Sequence, residues 1–348
     1  MRRKSKEIKI GNILIGADNP IAIQSMTNTD THDAESTARQ INELHDAGAH
    51  IVRFTVPDEG AARSVSRIRS LTKAAIVADI HFNYRIALMC IDAGIDKIRI
   101  NPGNIGSPER VREVAKKAIN AKIPIRIGVN AGSLEAEFYK KYGKTACAMV
   151  ESAKYHASLL ENEGMTDIVL SLKASDVRRT VDAYRLIAES CDYPLHVGIT
   201  EAGTSYSGII KSSAGIGALL LDGIGDTIRV SLTDNPVEEV RAAKALLSAL
   251  DLREAPQLIS CPVCGRCKYD LISVAKAAEK YLEKIDKPIK VAVMGCAVNG
   301  PGEASEADIG VAGGNGNAII FRKGKIVKTV AEKDIITELF SEIDKIIK

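Results

Sequence analysis

The sequence contains no tryptophan, and aromatic residues make up only 4% of its 348 residues. Aromatic platforms on which nucleic-acid bases could stack are therefore scarce. The net charge is only +3, from 47 basic and 44 acidic side chains, whereas proteins that bind a phosphate backbone usually carry a strongly basic domain. Both shortages argue against nucleic acid as the partner of this protein.

Long hydrophobic segments are also missing, since no apolar run in the sequence approaches the roughly 20 residues that a membrane-spanning helix needs. The Arg2-Arg3 pair is followed by Lys6, Glu7 and Lys9 rather than by an apolar stretch. We therefore interpret the pair as a solvated tail and not as an export signal. These features predict a cytoplasmic protein that does not bind a membrane.

Short runs rich in β-branched residues alternate with amphipathic helical patterns over most of the chain. Such alternation predicts parallel βαβ units, hence an α/β fold. Eight units in about 230 residues favour a (β/α)₈ TIM barrel, although a doubly wound sheet could use the same elements. The predicted strands are Ile21–Thr27, His50–Val56, Ala74–Ile80, Lys97–Pro102, Pro124–Asn130, Asp167–Lys173, Pro194–Thr200 and Thr227–Thr233. The first twenty residues predict a small hairpin ahead of the barrel.

The pattern changes after Ala255-Pro256. A short strand over Gln257–Ser260, a helix over Tyr269–Ile285, four further strands and a closing helix over Glu332–Ile347 predict a small α+β domain. We therefore predict a barrel domain over residues 1–254 and a second domain, rich in cysteine, over residues 255–348.

Polar residues stand at the C-terminal ends of the predicted strands, where TIM barrels place their catalytic groups. Residues two apart on a strand point to one face, as Arg99 and Asn101 do. The candidates are Arg53, Asp79, Arg99, Asn101, Arg126, Asn130, Ser171, Lys173, Arg229 and Ser231. Five of them are cations on different strands, which is more than structural ion pairs explain. Because Arg and Lys suit phosphate oxygens, the set predicts a phosphate-bearing substrate.

Glu201 follows the seventh predicted strand and is a candidate general acid or base. The alternative is a carboxylate that only balances the charge of nearby arginines, and Asp79 has the same ambiguity. His81 and His196 each stand alone at a strand end, where a histidine is as often a hydrogen-bonded core residue as a functional one.

Four of the seven cysteines lie in the second domain. Cys261, Cys264 and Cys267 form a Cys-x₂-Cys-x₂-Cys motif, and Cys296 follows later. In a large chain without a secretion signal such a cluster indicates metal or redox chemistry. Zinc and an iron–sulfur cluster both suit the spacing. The glycine and proline residues around Cys296 favour the cluster, because loop N–H groups can point at its sulfides.

The segment Met294–Ala304, together with Ser260–Arg266, closely resembles the 4-hydroxy-3-methylbut-2-enyl diphosphate synthase family of the IspG/GcpE type. The resemblance runs in order along essentially the whole chain, and the length resembles the short two-domain bacterial form. The barrel segments that agree are Gln24–Thr29, Ala78–Phe82, Arg99–Gly106, Ser171–Ser175 and Gly198–Gly203.

The resemblance implies a [4Fe-4S] cluster held by Cys261, Cys264, Cys296 and Glu303. It implies reductive ring opening of 2-C-methyl-D-erythritol 2,4-cyclodiphosphate in non-mevalonate isoprenoid synthesis, with the two electrons coming from ferredoxin or flavodoxin. We expect the open iron of the cluster to bind the substrate oxygen and Glu201 to deliver a proton. The resemblance also implies a homodimer, in which the cluster domain of one chain meets the barrel of the other.

Cys267 departs from the family pattern, because many relatives lack cysteine at this position. Glu303 is still the preferred fourth ligand, since a carboxylate is displaced from iron more easily than a thiolate. Two other functions stay open. An electron carrier would need no cavity with five cations, and a zinc-stabilised phosphate-binding module would lack the brown colour of an iron–sulfur protein.

Overall fold

The computed structural model describes residues 2–101, 105, 107–285, 287–296, 302, 304–314 and 316–348. It divides the chain into two compact units, Met1–Leu246 and Leu247–Lys348. The sequence prediction places the division a few residues later, after residue 254. Among the described helices, none is long and apolar enough to cross a membrane.

The first unit is a closed barrel of eight parallel strands. The strands lie in the order β8-β7-β6-β5-β4-β3-β10-β9, and a parallel bridge from Leu170 to Leu195 joins the β8 and β9 ends. The strands are β3 (Ala22–Met26), β4 (Ile51–Thr55), β5 (Ala75–Asp79), β6 (Lys97–Ile100), β7 (Ile125–Asn130), β8 (Ile168–Lys173), β9 (His196–Val197) and β10 (Thr227–Ile228). The predicted (β/α)₈ barrel is confirmed, and the closure excludes a doubly wound sheet.

Helices follow the strands and cover the outside of the barrel. Several begin where a side chain satisfies a free N–H of the first turn, as Asp33 does for Ser36 and Asp176 does for Arg179. The helices are α1 (Ala34–Asp46), α2 (Glu59–Leu71), α3 (Tyr84–Asp92), α4 (Pro108–Ala121), α5 (Ala136–Tyr142), α6 (Ala146–Glu161), α7 (Val177–Ser190), α8 (Ser205–Leu221) and α9 (Pro236–Ala249).

The predicted N-terminal hairpin is present as two antiparallel strands, β1 (Ile8–Ile10) and β2 (Ile13–Ile15). Its buried isoleucines pack against the first residues of the barrel strands, among them Ile51, Ala75 and Val169. The hairpin therefore fills the N-terminal end of the barrel with apolar side chains, and polar groups are left to the opposite end.

The second unit is a five-stranded sheet with two helices on one face, as predicted. Strands β11, β12 and β13 are parallel, and β13, β14 and β15 are antiparallel. The elements are β11 (Gln257–Ser260), α10 (Leu271–Leu282), β12 (Lys290–Met294), β13 (Ile309–Gly313), β14 (Asn317–Arg322), β15 (Lys325–Ala331) and α11 (Ile335–Ile347). Helix α10 is shorter than predicted, because Asp270 caps it by accepting the Ser273 N–H.

Candidate functional site

A cavity of about 270 Å³ opens at the C-terminal ends of the barrel strands. All the predicted substrate-binding residues except Asn101 line it. They are Arg53, Asp79, Arg99, Arg126, Asn130, Ser171, Lys173, Arg229 and Ser231. Asn101 is buried, 4% exposed, two residues beyond Arg99. The strand register thus brings together residues that the alternation on each strand had singled out.

Asp79 is a buried carboxylate between two arginines of this cavity. Arg99 Nη1 donates to its Oδ1 at 3.0 Å, and Arg53 Nε lies 3.5 Å from its Oδ2. Burial raises the pKa of Asp79, but the two guanidinium groups outweigh that effect and hold the pKa below its usual range. Asp79 is therefore charged at neutral pH and holds two cations in position.

Arg229 is held in the same way by Glu239, a residue that the sequence analysis missed. Arg229 donates from Nε and Nη2 to the two carboxylate oxygens, at 3.2 Å each. The buried Glu239 also accepts from Ser25 Oγ and from the Leu232 N–H, both at 3.1 Å. Glu239 lies in the first turn of α9, where acidic residues are common because they interact favourably with the helix dipole. Its position in the sequence therefore did not indicate a role in the cavity.

Met26 lies between the ends of two cavity arginines. Its Sδ is 2.9 Å from Arg53 Nη2 and 3.5 Å from Arg229 Nη1. A thioether is only a weak acceptor, so this contact positions the guanidinium groups without neutralising them.

Two further cations of the cavity have no carboxylate partner among the described residues. Lys173 Nζ lies 3.2 Å from His196 Nε2. Arg126 is fully buried, and its Nε and Nη1 atoms have no hydrogen-bond partner among the residues the structure describes. Structural ion pairing therefore accounts for Arg53, Arg99 and Arg229, but the surplus charge of the other two suits an anionic ligand.

Glu201 is exposed and is not among the residues that line the cavity, whereas its neighbour Thr200 is. Its backbone has a φ of 53°, in the left-handed region that residues other than glycine seldom adopt. Such strain often marks functional positions. His81 lines the cavity, while His196 is a buried, hydrogen-bonded residue of the barrel interior.

In the second unit, the pairing of two parallel strands brings the cysteine segments together. Ser260, the last residue of β11, pairs with Val293 of β12, so Cys261 and Gly295 leave the sheet at the same end. The Gly295 N–H donates to Cys261 Sγ at 3.1 Å. Hydrogen bonds from backbone N–H groups to cysteine sulfur are common around iron–sulfur clusters.

The surroundings of the other thiols also fit a group bound by thiolates. The backbone N–H and the side chain of Arg266 lower the pKa of the exposed Cys264. A Cβ placed on Gly295 would lie 3.2 Å from Cys267 Sγ and 3.5 Å from Cys261 Sγ, so a larger residue here would press against the Cys267 thiol. Soft thiolate donors in a glycine-lined loop suit iron or zinc.

The ligand set itself stays a prediction. Within the described part of the chain, no three cysteine, histidine or acidic residues lie close enough to hold a metal. Cys296 is half-buried, and Glu303 lies outside the described residues. Cys267 donates to the carbonyl oxygen of Tyr269 at 3.3 Å.

Comparison with protein families matches residues 5–244 to the GcpE TIM-barrel domain and residues 257–345 to the GcpE protein C-terminal domain. A protein of Caldanaerobacter subterraneus subsp. tengcongensis is 57% identical over 100% of this chain and 99% of its own length. One from Bacillus subtilis is 54% identical over 99% of this chain and 92% of its own length. Both are named 4-hydroxy-3-methylbut-2-en-1-yl diphosphate synthase (flavodoxin).

A solved structure also resembles part of this chain. Dihydropteroate synthase from Stenotrophomonas maltophilia covers 72% of this chain and 100% of its own, with a TM-score of 0.53 and 13% identity. At this identity the likeness supports the barrel fold and carries no information on the activity.

Proposed function

The chain belongs to the GcpE family, and from that premise we propose that it converts 2-C-methyl-D-erythritol 2,4-cyclodiphosphate to (E)-4-hydroxy-3-methylbut-2-enyl diphosphate. This reductive ring opening and dehydration is a step of non-mevalonate isoprenoid synthesis. The observation in this chain that carries the proposal is the barrel cavity, whose cations Lys173 and Arg126 lack a carboxylate partner among the described residues.

The cavity residues bind and orient the cyclic diphosphate in this proposal. Arg53, Arg99 and Arg229 are already aimed by Asp79 and Glu239, so little side-chain entropy is lost when the ligand binds. Opening the ring leaves a phosphate oxygen with additional negative charge. The fixed cations stabilise that charge as it develops, which lowers the barrier.

Cys261, Cys264, Cys296 and Glu303 would hold a [4Fe-4S] cluster, which would supply the two electrons one at a time. The residues of the chain prepare that site: the Gly295 N–H donates a hydrogen bond to Cys261 Sγ, and Arg266 lowers the pKa of Cys264. We assign Glu201 the delivery of a proton to the substrate. The strained backbone of Glu201 and its position directly after Thr200 support this role.

The names of the relatives support flavodoxin as the electron donor, with ferredoxin as the alternative. We also propose the homodimer and the cytoplasmic location that the sequence predicts. An electron carrier is disfavoured because the fixed cations of the barrel cavity would have no role in it.

The proposal is tested with protein prepared anaerobically. We expect iron and acid-labile sulfide in equal amounts, and turnover of the cyclic diphosphate with an artificial reductant. Zinc without sulfide, together with tight binding of the cyclic diphosphate but no turnover, would instead establish the zinc-stabilised phosphate-binding module.

A further inference from the structure

Lys173 is a buried amine surrounded mainly by positive charge. It is 8% exposed, lines the barrel cavity and has no ion pair with a carboxylate among the described residues. The charged or titratable groups that the structure describes on the neighbouring elements are Arg126 on β7, Arg99 and Lys97 on β6, Asp79 on β5, His81 after β5, Arg53 on β4, His196 on β9, Arg229 after β10, Glu239 on α9 and Tyr184 on α7. The two acids of this set are already paired, Asp79 with two arginines and Glu239 with Arg229.

Contacts below the cavity fix where the Lys173 amine lies. Nζ lies 3.2 Å from His196 Nε2, and His196 Nδ1 lies 2.7 Å from Thr227 Oγ1. With Lys173 as the donor, Nδ1 carries the imidazole proton and donates to Thr227. A Cβ on Gly198 would come within 2.8 Å of Nζ, so glycine at this position leaves room for the amine.

The electrostatics of this arrangement disfavour a protonated lysine in the free protein. Burial, then Arg126 and Arg229, hold the pKa of Lys173 well below its usual range. Burial is the largest effect that lowers the pKa of His196, so the imidazole is neutral and accepts from the amine. Guanidinium groups keep their charge in proteins, and a lysine amine can therefore give up its proton where the arginines cannot.

We propose that the Lys173 amine, held by His196, takes up one proton from solvent when an anionic ligand enters the barrel cavity. The proton adds to the lone pair of the neutral amine, and no covalent bond of the ligand is broken. The ligand supplies the negative charge that the described protein groups do not provide, and the resulting ammonium donates to it. The inference rests on the proposed function only for the identity of the natural ligand, a diphosphate.

The coupling between ligand binding and protonation of Lys173 sets the sign of the pH dependence of ligand affinity. Ligand binding raises the pKa of Lys173, so affinity is independent of pH below the free-state pKa. Above it, affinity falls by up to about tenfold per pH unit, until pH passes the pKa of the complex.

A ligand without titratable protons provides the clearest test. Methanedisulfonate is similar in size to a diphosphate and, like a cyclic diphosphate, carries two negative charges, which stay ionised at neutral and alkaline pH. We would titrate it into the full-length, anaerobically prepared protein at about pH 8 in Tris and in HEPES, whose ionisation enthalpies differ. The difference in calorimetric enthalpy between the buffers gives the number of protons taken up. We expect about one per site.

Two variants assign the proton to a residue. Lys173→Arg keeps a permanent charge and should bind methanedisulfonate with no proton uptake. Lys97→Met is the matched control, since Lys97 is also buried and its pKa is also lowered, by burial and then by Arg126. It should take up the proton as the unsubstituted protein does. Uptake that persists in Lys173→Arg, uptake that disappears in Lys97→Met, or no binding of the probe would each overturn the proposal.

The outcome is separable from that of the proposed function. Turnover of the cyclic diphosphate is measured on the same preparation. Turnover without proton uptake would leave the proposed function intact and remove this inference. Proton uptake without turnover would support this inference and overturn the proposed function.

Discussion

The barrel cavity and the cysteine centre differ in what holds their functional side chains. In the cavity, Asp79 and Glu239 fix three arginines before any ligand binds. Around Cys261, Cys264 and Cys267, contacts with Gly295, Arg266 and Tyr269 hold single thiols. Among the described residues, no three potential ligands lie within reach of one metal ion. Ion pairs on a closed barrel position a site in advance, whereas a metal centre gains much of its order from the metal itself.

The largest expected effect concerns the cysteine centre. Cys264→Ser, like Cys261→Ser and Cys296→Ser, should abolish the cluster, because a serine hydroxyl is a poor substitute for a thiolate on iron. Cys267→Ser is the matched control, one motif position away, and should retain it. Iron and sulfide content per chain measures both. If Cys267→Ser loses iron and sulfide to the same extent, the fourth ligand is the Cys267 thiolate and not Glu303.

Glu201→Gln should lower the turnover rate by about 10²–10⁴-fold, the usual contribution of a general acid or base. Substrate affinity and the visible spectrum should not change, since the amide keeps the size of the side chain and the cations are untouched. Rate and affinity are measured together, anaerobically, with an artificial reductant. Near-normal turnover would reduce Glu201 to a charge-balancing residue. His81, which lines the cavity, would then be the next donor to test, since Asp79 is ionised and paired with two arginines.

Arg229→Ala should weaken binding of the cyclic diphosphate by about 10- to 150-fold, the loss of roughly 1.5–3 kcal/mol from one charge-assisted contact. Glu239→Gln should have a smaller effect, because the guanidinium stays but its bidentate partner is gone. Calorimetric titration compares the two. If affinity is unchanged in Arg229→Ala, the cavity is not the diphosphate site. If Glu239→Gln binds the cyclic diphosphate more weakly than Arg229→Ala does, fixing the position of the Arg229 guanidinium contributes more to affinity than its contact with the ligand.

The smallest effect is on stability. Lys97 Nζ is buried and has no hydrogen-bond partner among the described residues, so Lys97→Met should raise the free energy of unfolding by about 1–3 kcal/mol at neutral pH. The unfolded chain binds a proton at Lys97 that the folded protein does not. Stability of the unsubstituted protein therefore rises with pH, and the gain from the substitution should shrink towards the ordinary lysine pKa.

Urea unfolding at neutral and alkaline pH measures this gain. Lys9→Met, at an exposed position of the hairpin, is the control and should show no such pH-dependent difference. A destabilised Lys97→Met would mean that the amine has a partner in solution.

The barrel was predictable because its signals are local. The eight strands carry β-branched runs, and the side-chain alternation along β6 and β8 predicts that Arg99 and Lys173 lie on the inner face, as they do. The cysteine spacing and the segment around Cys296 were sufficient to indicate the family, because their chemistry depends on residue types at short range.

Other features depend on contacts between residues far apart in the chain, which no local pattern encodes. The pairing of Glu239 with Arg229 and Ser25 needs the closed barrel. Closure of the barrel also separates two groups of residues. It places the apolar hairpin at one end and the surplus cations at the other.

The sequence by itself determined the element order, the inward-facing residues and the cysteine motif that predicts a metal centre. Only the tertiary structure decided which charges neutralise each other. Asp79 and Glu239 are shared among arginines, and Lys173 is left to a neutral His196. The physical reason is that residue type sets how many charges the barrel holds, whereas distance and burial set the pKa of each group and its partner.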